Sequence, residues 1–75
     1  MLRKSLVNKA IRRRFAVTLK QNEGVFSGVL TDSDRETLVF EQCQTVPSVE
    51  GGTPSTIAGR VFVDRITLAY IQELP

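Results

Sequence analysis

Gly28 sits inside a stretch that otherwise alternates as a strand does, and it limits what the chain can fold into. Phe26 and Leu30 fall on one face of that stretch at period two, with Gly28 between them on the same face. A glycine inside a strand marks a bend or a close approach of backbone. A strongly bent second strand is the element that closes a very small barrel. The turns on either side agree. Gln21-Asn22-Glu23-Gly24 has the composition of a tight hairpin turn in which Gly24 takes positive φ. In Asp32-Ser33-Asp34-Arg35, Asp and Ser can bond their own backbone.

Alternation then extends in both directions. Phe15, Val17 and Leu19 oppose Ala16, Thr18 and Lys20, a half-buried first strand over Phe15–Lys20. The second strand spans Val25–Asp32. The third, Glu36–Gln44, offers Leu38 and Phe40 to the core. Residues 45–56 hold two prolines, two adjacent glycines and several hydroxyls, and they read as a long mobile connection. Ile57–Val63 and Ile66–Gln72 are the fourth and fifth strands, with only Asp64 and Arg65 left for the turn between them. Val61-Phe62-Val63 and Leu68-Ala69-Tyr70-Ile71 are apolar on both faces, as strands are when both sides are covered. A chain of 75 residues buries only a thin core, so the second cover is expected from another copy at a subunit interface.

Ahead of the strands, residues 2–14 read as a short amphipathic α-helix. Leu2, Leu6 and Ala10, with Val7 and Ile11 beside them, recur at spacings of three and four, and Lys9 and Arg13 face water. Arginines near the helix C-terminus suit its dipole. The predicted fold is therefore mostly β: an N-terminal helix, then a five-stranded, strongly bent antiparallel sheet forming a small SH3-type barrel in a single domain over residues 1–75.

The net charge of +2 hides a division. Residues 1–14 carry Arg3, Lys4, Lys9, Arg12, Arg13 and Arg14 and no acid, whereas the remainder holds four basic residues against eight acidic ones. A basic arm ahead of an acidic body points to an anionic partner for the arm, or to a helix face that complements the body. The first 22 residues lack acid, as transit peptides do, but the helix runs straight into a strand with no separate cleavage region. No apolar run approaches the ~18 residues of a membrane span. Histidine is absent, which removes the usual general base near neutral pH, so no enzymatic activity is expected. With a single cysteine, Cys43, no zinc site and no internal disulfide are expected, and a reducing, cytoplasmic compartment is. Cys43 reads as a small buried or interface side chain, and Tyr70 as a packed ring with its hydroxyl bonded. Asp32, Asp34 and Glu36 could bind Mg²⁺ or Ca²⁺ through oxygen, but solvated, turn-forming carboxylates explain them as well, and no cofactor is expected.

A helix followed by five strands, with a long third-to-fourth connection, resembles the Sm and Sm-like family. The first motif of that family appears as Gly24-Val-Phe26-Ser-Gly28-Val-Leu30, then Asp34, then Leu38-Val-Phe40. The second appears as Val61-Phe62-Val63-Asp64-Arg65-Ile66-Thr67-Leu68-Ala69-Tyr70-Ile71. The resemblance implies a closed homo-oligomeric ring in which the fourth strand of one subunit pairs with the fifth of the next, removing open edges. It also implies a single-stranded RNA site built by two loops around the central hole. Carried over by position, the family's aspartate is Asp34, its base-stacking residue falls on Glu36, its asparagine on Thr37, and its Arg-Gly pair on Asp64 and Arg65. Only the aspartate is kept. Glu36 has no plane to stack on a base, Thr37 has one hydroxyl in place of an amide, and Asp64 meets phosphate with the wrong charge.

Two functions follow from the resemblance. In one, the ring binds RNA through a basic crown of Lys9, Arg12, Arg13 and Arg14 with little sequence preference, the uridine pocket being degraded. In the other, the ring is an assembly unit, for example of a phage or mobile element, whose basic helix docks on an acidic protein. Five short strands also permit a monomeric SH3-like barrel with a basic arm.

Overall fold

The structure is a computed structural model that describes residues 11–22, 24–47 and 50–75. Within them the chain is an antiparallel sheet of six strands: β1 (Arg14–Leu19), β2 (Val25–Ser33), β3 (Thr37–Thr45), β4 (Thr56–Ile57), β5 (Val61–Asp64) and β6 (Leu68–Glu73). The order is β4-β3-β2-β1-β6, and β5 lies on β3 beside β4. Alternation decides which face is buried. Phe15, Val17, Phe26, Leu30, Leu38, Phe40, Cys43 and Val63 form the core, and the Phe26 and Phe40 rings meet edge to face at 5.6 Å. The expected core positions Phe15, Val17, Phe26, Leu30, Leu38 and Phe40 are thus observed, while Leu19 is only partly buried against them.

The pairing of β2 with β3 is irregular. Their register shifts between Ser27 and Val29, where Gly28 faces an extra residue in β3. Gln42 takes φ +53 there, the left-handed conformation that one type of bulge uses. Gly28 allows this because a Cβ at that position would stand 2.6 Å from the Cys43 sulfur. Gly24 takes φ +119, as its turn predicts.

Several expectations are corrected. The expected fourth strand is two strands. β4 pairs with the far half of β3 and β5 with its near half, and residues 58–60 cross the β3 bulge with Gly59 at φ +80. The last strand starts at Leu68, because Arg65–Thr67 form a 3-10 turn closed by the Thr67 hydroxyl donating to Asp64 O at 2.8 Å. The sheet is not closed into a barrel: the short β4 and β5 lie on one side and β6 on the other. Most of the expected helix, residues 2–10 with Lys9, lies outside the described residues. Its expected end is not helical, since Arg12 takes φ +74 and Arg14 already belongs to β1. There the backbone turns to β2: Arg12 N–H donates to Leu30 O, and Leu30 N–H to Arg13 O. Tyr70 is 55% exposed on the edge strand and not a packed ring.

Candidate functional site

The turn from β2 to β3 is built by one side chain. Asp34 Oδ1 accepts from the backbone N–H of Glu36 at 2.8 Å and of Thr37 at 2.7 Å, while Asp34 N–H donates to Thr37 O. These two backbone bonds hold the Asp34 carboxyl below its ordinary pKa, and the nearby Arg65 charge adds to them. Asp34 is therefore spent on the turn.

The second turn is fastened to the first. Arg65 N–H donates to Glu36 O at 2.8 Å, next to the β3–β5 pair of Thr37 and Asp64. Five residues that sequence reasoning placed in the site, Asp34, Glu36, Thr37, Asp64 and Arg65, thus meet at one corner. A concavity of about 520 Å³ opens there, lined by Arg35, Glu36, Asp64, Arg65 and Ile66. Arg65 Nε is buried without a hydrogen-bond partner among the described residues. A smaller hollow of about 240 Å³ lies alongside, where Asp34 and Thr37 meet Phe62.

The arginines of the amino-terminal segment lie elsewhere and point apart. Arg13 Nη1 pairs with Glu73 at 2.7 Å on the β6 side, and Arg14 Nη1 donates to Gln42 O at 3.4 Å over β3. Arg12 lines a polar hollow with Arg60, Asp32 and Glu41.

Three features escaped the sequence reading. Ile66, the expected first residue of the last strand, stands 78% exposed on the 3-10 turn. Arg35, expected only in the turn, lines the corner. Arg60 lies over the exposed Phe62 ring, 5.4 Å from its centroid. An apolar residue beside a two-residue turn was the only available sign of the first. Nothing in the spacing marks the other two.

The corner is charged and open. Its lining holds two guanidinium groups, two carboxylates and one aliphatic wall. Among the described residues no three His, Cys, Asp or Glu side chains gather as a metal site, so Asp32, Asp34 and Glu36 do not form one. Asp32 instead accepts from Ser33 N–H. No described helix is long and apolar enough to cross a membrane. Burial pushes the Cys43 thiol above its ordinary pKa, the reverse of what a reactive thiolate needs. No protein-family model matches the chain, and no curated protein matches its sequence.

Proposed function

We propose that the chain is a subunit of a ring of the Sm-like kind, that copies join through β5 and β6, and that the ring binds single-stranded RNA through its arginines. The observation that carries this is the Arg65–Glu36 backbone bond, which brings the two loop segments of the resemblance to one corner. A second feature supports the ring. β5 and β6 each have one side unpaired among the described residues, and only Arg65–Thr67 joins them. Two open edges that diverge from one corner make a wedge. Wedges set edge to edge close around an axis with their corners inward. The outward Phe62 and Tyr70, 61% and 55% exposed, then share one face across each junction and lose their exposure.

The strength of RNA binding comes from phosphate contacts repeated around the ring, by Arg12 and Arg14 and by whatever Lys9 contributes, and it falls steeply with salt. A specific observation favours the alternative, an assembly ring without RNA: Arg13 is already paired with Glu73, and the concavity at the corner is lined by as many carboxylates as guanidinium groups. One pair of measurements separates them. Light scattering is expected to give a multiple of 8.4 kDa, and anisotropy of labelled RNA is expected to show salt-sensitive binding that Arg12→Glu with Arg14→Glu abolishes in an intact ring. A monomer overturns the ring. A ring that leaves RNA unbound at low salt overturns the RNA function and favours the assembly unit.

A further inference from the structure

We infer that the concavity at the corner is a nucleobase site and that the base it takes is guanine, an inference that rests on the RNA function proposed above. At about 520 Å³ the concavity has the size of small-ligand sites. Its charges give no net pull on phosphate, because Arg35 and Arg65 are matched by Glu36 and Asp64. What it offers instead are groups that read a base: guanidinium planes on which a ring can stack, an aliphatic wall in the exposed Ile66, and two carboxylates.

The carboxylates decide which base. They are acceptors only. Among the described residues the only ion pair is Arg13–Glu73, and neither the Glu36 nor the Asp64 carboxylate makes a hydrogen bond. Glu36 serves the fold through its backbone, N–H to Asp34 and O from Arg65, which leaves its side chain to the site. Guanine presents two adjacent donors, N1–H and the 2-amino group, which one carboxylate can accept together as charge-assisted bonds. Its O6 and N7 are the acceptors an arginine reads. Uracil presents a single N3–H between two carbonyl oxygens, which a carboxylate repels. Adenine and cytosine each set one amino group beside a bare ring nitrogen. Guanine alone matches.

The test compares three short labelled RNAs against the full chain at low salt: uridine only, the same strand with guanosine at intervals, and that strand with inosine replacing guanosine. Inosine lacks only the 2-amino group. The guanosine strand is expected to bind roughly tenfold tighter than the uridine strand, the worth of a good bidentate contact, with most of the gain lost in inosine. Glu36→Gln with Asp64→Asn, near-isosteric changes on exposed side chains, is expected to level the three. Circular dichroism and mass confirm that the variant remains folded and assembled. Equal binding of all three strands by the unaltered chain overturns the guanine site and leaves the RNA function standing, as does tighter binding of uridine. If no strand binds at low salt, the RNA function falls and the site with it.

Discussion

Replacing Gly28 with alanine is expected to destabilise the protein through one contact, and a second substitution relieves it. The added Cβ would lie 2.6 Å from the Cys43 sulfur, 3.3 Å from Glu41 O and 3.3 Å from Phe40 Cβ. The backbone at Gly28 is not in the left-handed region, so alanine meets no conformational penalty there and the cost is steric. The sulfur belongs to a fully buried side chain of the core that also holds Phe40 and Leu30, and it cannot swing away into solvent. Overpacking of this kind costs about 1–3 kcal/mol. A domain of this length holds roughly 4–11 kcal/mol in all. Cys43→Ala alone removes one buried atom and costs about 1 kcal/mol. In the double variant the new methyl moves into the space the sulfur vacates, so the two changes couple favourably by about 1–2 kcal/mol. Urea denaturation followed by circular dichroism, at one fixed protein concentration because assembly contributes to stability, reads all four corners of the cycle. With a slope of about 1 kcal/mol per molar urea, Gly28→Ala lowers the midpoint by about 1–3 M. A midpoint unmoved by Gly28→Ala, or a double variant no better than the sum of the singles, refutes the close approach of β2 to the β3 bulge.

Asp34 has a lowered folded-state pKa, so the stability it contributes is present above the ordinary aspartate value of 3.8 and is lost as pH falls through the lower folded value. An acid titration of the native fold is expected to show that limb, and Asp34→Ala to remove it. Arg13 and Glu73 pair at 2.7 Å, but their side chains are 65% and 48% exposed, so Arg13→Ala is expected to change stability by less than about 0.5 kcal/mol in thermal melts. Iodoacetamide is expected to modify Cys43 slowly in the native protein and rapidly in denaturant, since the thiol is buried and its pKa raised. Mass spectrometry over time follows it, and rapid native labelling would mean that β3 and β4 open freely.

The strands were legible where one face is buried. Phe15, Val17, Phe26, Leu30, Leu38 and Phe40 alternate in the chain because they alternate in the sheet. The close approach at Gly28 was legible for the same reason, a missing side chain on the buried face. The break in the expected fourth strand was not, because its cause lies in another strand. β3 bulges at Gln42, and Ala58–Arg60 must pass that bulge before pairing can resume. The sequence at 57–63 by itself reads as continuous. Arg12 misled differently. Its place in a helical repeat says nothing of the bonds that join its backbone, and that of Arg13, to Leu30.

The candidate site divides along the same line between side-chain pattern and backbone contact. The positions of Asp34, Glu36, Thr37, Asp64 and Arg65 could be named from spacing, but not what each has left to offer. Asp34 looked like a ligand contact and is consumed by two backbone amides. Glu36 looked like a lost stacking residue, and among the described residues its carboxylate is unengaged while its backbone holds the turn. Arg35 entered the corner because that turn is tight, and Ile66 because Arg65–Thr67 curl into a 3-10 turn before β6 begins. A corner assembled by backbone bonds can therefore keep its shape while its side chains change charge. The backbone bonds that set the corner, Asp34 to Glu36 and Thr37 and Arg65 to Glu36, do not depend on the side chains of Glu36 and Asp64.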